Sequence, residues 1–303
     1  MSFMAPWAAP IGPHNLWAFR ILTAIPLLLI VFWATKDFQL VTEVIEVVRA
    51  APWKIIGMIV LAALMSFQLW LFMWAPLTGH ALGVALGYFL LPLVLVVQSR
   101  LMYKDQLRWW HWLAVGLAAV GVILKVYLAG EVGWETFAVA FGFAPYFALR
   151  RWMGTESIGG MFWEQVIAAP VAVAVIGVTA VTTDVFVDHL PMIPIAIGIT
   201  AWGALSMVLY ILASRLMPLS VFGLLTYLEP ALLTLVALLI GEKIRPAEMP
   251  SFLLIWAAVV LVFIGGTIQV IRHRRAVKGQ AYSPAPATGS IPIQQNPNTP
   301  HSP

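Results

Sequence analysis

The sequence predicts an all-α bundle of membrane-spanning helices, and three observations lead there. Of 303 residues, 61% are hydrophobic and only 10% charged, with a mean hydropathy of +0.92. A soluble domain carries about 25% charged residues, so a water-facing surface cannot be assembled from this chain. The apolar residues fall into runs of helical length, and Lys and Arg gather in the connections between them. About 30 Å of hydrocarbon at 1.5 Å rise per residue requires roughly 20 mainly apolar residues per span. By that ruler nine segments qualify, over 16–34, 55–75, 81–98, 112–128, 134–149, 161–181, 192–213, 219–240 and 251–271.

Residues 1–13 lack the basic stretch and cleavage site of a signal peptide, so the first segment is expected to be retained. Between the first two segments, residues 35–54 place Phe38, Val41, Ile45 and Val48 at helical spacing, with Lys36, Asp37, Glu43, Glu46 and Arg49 interleaved. That pattern predicts a short amphipathic helix lying in the interface. Trp33, Trp53, Trp109, Trp110, Trp134 and Trp152 fall at segment ends, as an interfacial aromatic belt requires. Residues 279–303 hold six prolines among Ser, Asn, Gln and Gly, with little to bury, and read as a disordered tail.

If the segments alternate, thirteen of the seventeen Lys and Arg fall on one side, against Lys125, Lys243 and Arg245 on the other, with Arg20 inside the first segment. The positive-inside rule makes the richer side the cytoplasm, with the C-terminus inside and the N-terminus of this chain outside. The formal charge of +4 thus reports orientation rather than nucleic-acid binding. The absence of cysteine excludes disulfides, thiolate metal sites and cysteine nucleophiles.

The chain also contains a weak internal duplication. GYFLLP at 87–92 is followed by DQLR at 105–108, and TYLEP at 226–230 by EKIR at 242–245. Pro92 and Pro230 each precede an acidic, polar, apolar, Arg tetrad by about a dozen residues. The third and eighth segments are five spans apart, an odd number, so the copies cross in opposite directions. Inverted repeats of this kind characterise secondary transporters with a substrate site near the midplane.

The run from Ser66 to Pro92, with Leu-Phe-Met-Trp-Ala, Gly79-His80 and Gly87-Tyr88-Phe89, resembles the first half of RarD-type permeases in the EamA branch of the drug/metabolite transporter superfamily. Arg150-Arg151 after Tyr146, Glu164, Arg215 before Pro218-Leu219-Ser220, and Gly241-Glu242 are similar to its second half. The resemblance covers roughly residues 14 to 271. It implies two five-helix inverted repeats in a bacterial cytoplasmic membrane, transporting small metabolites or drugs without a cofactor. On that pattern, 1–15 is the remnant of a first helix, 16–128 an incomplete first repeat and 134–271 the second; an in-frame upstream apolar segment would point to a start placed too late, and its absence to a lost first helix. Leu91 and Gly83 stand where the pattern leads one to expect Asn and Glu, and Gln68 where it leads one to expect Asn.

An ionisable group inside a span costs about 2.5 to 3.5 kcal/mol at its centre on insertion scales, so each carries a functional hypothesis. Glu229, immediately before Pro230, would bind a cationic substrate group or couple transport to protons; the alternative is a protonated carboxyl bonded to a neighbouring helix. Glu164, near Arg150 and Arg151, reads as a cytoplasmic gate or surface ion pair ahead of a substrate contact, and Arg20 as an outward snorkeller ahead of an anion ligand. Asp105 and Glu242 read as structural, capping or pairing with Arg108 and Arg245. Uncharged candidates for the substrate pathway are Gln68, Trp70, Tyr88, Tyr146, Trp202, Tyr210, Thr226 and Tyr227, each open to a simple packing role. Pro92 and Pro230 are candidate hinges, beside Pro145 and Pro170, or else fixed kinks. Stretches 116–121 and 265–266 allow close helix approach.

An intramembrane enzyme would need clustered ligands or acid–base groups. All six histidines lie in loops, at segment ends or in the tail, and no HExxH, GxSxG or aspartate-rich motif occurs. A channel would need a filter loop or charged ring, and neither is visible. A non-transporting scaffold or receptor, or an inactive permease, stays open. The expected partners are the lipid bilayer and a small-molecule substrate; a homodimer is compatible with the sequence.

Overall fold

In the computed structural model the described residues are 5–103, 109–129, 132–216 and 228–281. After a 3₁₀ segment at Ala5–Ile11, the helices are α1 (Pro13–Thr35), α2 (Gln39–Ala50), α3 (Lys54–Thr78), α4 (Ala81–Tyr103), α5 (Trp109–Ala129) and α6 (Trp134–Met153). There follow α7 (Ile158–Thr182), the single turn α8 (Val185–Asp188), α9 (Met192–Leu216), α10 (Leu228–Leu239) and α11 (Met249–Ala281). No strand occurs among the described residues. The chain is an all-α membrane helix bundle.

Each of the nine apolar segments falls on a helix, although 219–227 lies outside the described residues. The amphipathic helix at 39–50 is α2, with Val44 buried and Glu43, Glu46 and Arg49 exposed. Only the first three residues of the expected tail are described, and they continue α11. By length and composition, five described helices can span a bilayer: Pro13–Thr35, Lys54–Thr78, Ala81–Met102, Ile158–Thr182 and Pro246–Gly265. Trp112–Lys125 and Met192–Met207 are shorter apolar helices. The count is lower than nine partly because α10 has twelve described residues and because α6 carries Glu135, Arg150 and Arg151.

The surface is the reverse of a soluble protein's. Trp33 is 76% exposed, Ile123 67% and Val181 88%, an apolar exterior suited to lipid. Inside, α1 packs on α7 and α9, α3 on α6 and α7, α4 on α6 and α10, and α5 on α11. One cluster joins α4, α5 and α11 through Leu86, Phe89, Ala114 and Ile255. Another joins α2, α3, α4 and α6 through Val44, Leu61, Leu91, Phe143 and Tyr146. Ala168, Ala172 and Ala196 let α7 and α9 approach α1 at Leu16, Trp17 and Ile21.

Small residues set the tightest contacts. Gly87 of α4 lies against the Thr136 carbonyl and the Val139 side chain of α6, and Gly121 of α5 against Ile255 of α11. Gly116, from the same small-residue stretch as Gly121, faces open space. Overpacking a close helix contact costs about 1–3 kcal/mol. Gly87→Ala should therefore lower the thermal unfolding midpoint of the purified protein, while Gly116→Ala leaves it unchanged or raises it. Equal effects would contradict the α4–α6 contact.

Candidate functional site

The polar side chains of the interior converge on α6. Gln68 of α3, 1% exposed, donates from Nε2 to the Ala138 carbonyl at 2.8 Å, its amide lying over Gly142. Gln98 of α4 donates to the Ala144 carbonyl at 2.7 Å. An amide facing lipid would have no partner, so both turn inward onto the same helix. Gln68 Oε1 remains buried without a partner among the described residues, as does Oε1 of the 2%-exposed Gln165 on α7.

Aromatic rings connect the same helices. Trp70 donates from Nε1 to His14 Nδ1 at 3.1 Å and stacks on Trp74, with centroids 5.7 Å apart. Tyr88 meets Phe72 and Phe143 edge-on at 5.1 and 5.6 Å, and Phe143 leads on to Tyr146 at 6.4 Å. Tyr146 then enters a buried charged network. Its hydroxyl donates to Glu164 Oε2 and accepts from Arg150 Nη1, both at 2.9 Å. Arg150 Nε lies 3.4 Å from Glu164 Oε1 and donates to the Thr155 carbonyl at 3.1 Å, while Nη2 donates to the Ser157 carbonyl at 2.7 Å.

The local sequence explains how α6 and α7 deliver these groups. Gly154 ends α6 with φ of 72°, a left-handed turn that favours glycine. Ser157 caps α7 by accepting from the Gly160 amide at 3.4 Å. The turn between them thereby presents two backbone carbonyls to the Arg150 guanidinium.

The structure thus brings Gln68, Trp70, Tyr88, Tyr146 and Glu164 to the contacts among α3, α4, α6 and α7. Glu164 was expected in a gate or surface ion pair; it is 1% exposed and its pair is internal, because the turn after α6 folds Arg150 over it. Arg20, expected to snorkel outward, lies on α1 with its side chain half-buried. Trp202 is 57% exposed on α9, away from this cluster. Tyr210 lies on α9, and Thr226 and Tyr227 are outside the described residues. Pro92 lies within α4, and Pro230 is the third residue of α10.

Glu229 stands on the first turn of α10 and is exposed. It has no hydrogen bond or ion pair with another described residue and so stands apart from the Glu164 network.

The opposite end of α6 holds a second polar group. Glu242, from the connection after α10, accepts from the Ala81 and Leu82 amides at 2.6 and 2.7 Å, capping α4 rather than pairing with Arg245. Arg245 instead pairs with Glu248 at 3.9 Å. Asp105 and Arg108 lie outside the described residues. The carboxylate of Glu135, 4% exposed, fills the space that a side chain at Gly83 would occupy. Lys125 sits 3.8 Å from Glu248 and over the Phe252 ring.

Over 259 residues the chain is 34% identical to the chloramphenicol-sensitive protein RarD of Pseudomonas aeruginosa, covering 83% of this chain and 85% of that protein. It is 32% identical over 265 residues to an uncharacterized transporter of Pasteurella multocida, covering 87% and 90%. Protein RarD of Escherichia coli is 31% identical over 215 residues, covering 69% and 72%. The chain belongs to the RarD family of membrane transporters. No family model and no solved structure matches it.

In this RarD-family transporter, three interior amides beyond Gln68 come to light only in the structure. Gln165 and Gln98 sit in apolar runs, and the rule that turned Gln68 inward applies equally to them. Asn15, 6% exposed and donating to the Ile11 carbonyl at 2.8 Å, is a third. Glu135 and the α4 cap of Glu242 had no comparable signal.

Losing an N-terminal helix cap costs about 0.5–2 kcal/mol. Glu242→Ala should therefore speed deuterium exchange at the start of α4, at Ala81 and Leu82, and leave the start of α7 unchanged. Unaltered exchange at Ala81 would contradict the cap.

Proposed function

We propose that this RarD-family transporter moves a small metabolite or drug across the bacterial cytoplasmic membrane by alternating access, with no covalent chemistry and with Glu229 binding a cationic group or a proton. The observation that carries the reading is unfilled hydrogen-bonding capacity in an apolar interior. Gln68 Oε1 and Gln165 Oε1 are buried without a partner among the described residues, on helices whose shared core also holds Tyr88 and Tyr146. A buried acceptor left unpaired costs about 1–3 kcal/mol, so a ligand that donates to it recovers that cost. The substrate that fits is small and partly aromatic or aliphatic, and carries N–H or O–H donors.

The packing order supports two inverted repeats meeting at this interior. If α1, α3, α4 and α5 correspond to α7, α9, α10 and α11, the pairs α1–α7, α4–α10 and α5–α11 map onto themselves, and α1–α9 exchanges with α3–α7. Orientation is supported by the clustering of basic residues at one end. Lys54 donates to the Met153 carbonyl at 3.2 Å, and Trp53 and Trp152 meet at 5.1 Å, so Arg49, Lys54, Arg150 and Arg151 share that face, proposed as cytoplasmic.

Flux in proteoliposomes, with and without an imposed proton gradient, tests the proposal. The compound panel should include chloramphenicol, since one relative's name carries it. Saturable flux above empty liposomes is expected for at least one compound, reduced about tenfold by Glu229→Gln with a flattened pH dependence. Binding without flux would leave a scaffold or receptor. Flux unaltered by Glu229→Gln at every pH would remove Glu229 from the mechanism.

A further inference from the structure

Helix α2 is fastened to α7 near its start. Trp163 Nε1 donates to the Val41 carbonyl at 3.0 Å, and Gly159 lies directly against the Leu40 carbonyl. Between α2, α3 and the start of α7 is a cavity of about 370 Å³. Its wall is apolar, from Val44, Ile45 and Val48 of α2, Met58 and Ile59 of α3, and Trp163 and Ile167 of α7. Water gains nothing in such a space, since it offers no convergent polar partners. The volume lies within the usual range of about 300–1,000 Å³ for small-molecule sites. Ile55 and Ile59 are 53% and 51% exposed, so the cavity opens on the apolar outer surface of the bundle.

One charged group stands at this opening. Arg49, in the last turn of α2, is exposed and lines the cavity, and it makes no ion pair with another described residue. Glu43 and Glu46 are exposed on the same helix without pairing to it, and Lys54 is directed to the Met153 carbonyl. An apolar slot opening toward hydrocarbon, with a guanidinium at its interfacial end, matches an anionic amphiphile. A planar guanidinium binds phosphate through paired hydrogen bonds, and the same charge repels a cationic amphiphile.

We propose that this cavity binds an acyl chain of an anionic phospholipid from the leaflet on which α2 lies, with the lipid phosphate held by Arg49. The site is separate from the Gln68–Glu164 interior and does not depend on the transport reading. Bound lipid fills the space that separates α2 from α3 and holds the amphipathic helix in place.

Thermal unfolding of the full chain in detergent, titrated with palmitoyl-oleoyl phosphatidylglycerol, the matching phosphatidylcholine, or glycerol 3-phosphate, tests this. The wild type should be stabilised by phosphatidylglycerol at lower concentration than by phosphatidylcholine, and not by glycerol 3-phosphate. Arg49→Gln should raise the phosphatidylglycerol concentration needed by about tenfold, to that of phosphatidylcholine. Ile45→Trp, which fills the slot, should abolish the response to both lipids. If that variant does not fold, Ile59→Trp fills the slot from its exposed rim. Equal responses of the wild type to the two lipids would overturn the proposal. So would an undiminished phosphatidylglycerol response in a folded filling variant, or full stabilisation by glycerol 3-phosphate.

Discussion

The ion pair between Arg150 and Glu164 imposes the constraint on which the interior is organised. Each group is almost fully enclosed, at 6% and 1% exposure, inside a bundle whose exterior is apolar. Removing two charges from water costs several kcal/mol per ion, roughly, and is offset only where geometry and extra hydrogen bonds satisfy both partners. Here Tyr146 bridges them and the carbonyls of Thr155 and Ser157 complete the guanidinium, while Glu164 Oε1 has no hydrogen bond among the described residues and faces Arg150 Nε at 3.4 Å. The charges can remain buried only while the end of α6, the turn after it and the start of α7 keep their mutual positions. Gly154 and the Ser157 cap set that turn, so a few local backbone choices fix a long-range arrangement.

Helix α6 then serves as the reference for the rest. Gln68 of α3 and Gln98 of α4 both bond to its carbonyls, and Gly87 brings α4 into direct contact with it. The capped start of α4 and the start of α6 lie at the opposite end, where Glu135 occupies the space beside Gly83. Glu229 is tied to none of this among the described residues.

Much of this was legible in the sequence, for reasons that can be stated residue by residue. Length and apolarity locate the helices because a spanning segment must satisfy its own backbone. The charges interleaved with Val41, Ile45 and Val48 identify α2 because an interfacial helix must divide its faces, although the residue it buries is Val44. Gln68 could be turned inward from its chemistry alone. What stayed hidden needs three dimensions. Glu242 caps amides 160 and 161 positions away, and nothing local to Glu242 marks that partner. Glu164 has Arg150 nearby in sequence, but whether the pair is outside or inside depends on how the turn folds. Trp202 faces outward because an aromatic in a uniformly apolar helix carries no sign of its direction. The missing side chain at Gly83 is compensated from α6, another helix altogether.

The most direct test of this account is a double-mutant cycle on the buried pair, measured by equilibrium unfolding in micelles. Arg150→Met and Glu164→Leu should each destabilise the protein by about 3–5 kcal/mol, because each leaves a buried charge unpaired. The double variant should lose far less than the sum of the two. Additive losses, or single variants as stable as the wild type, would contradict a buried ion pair as the organising constraint.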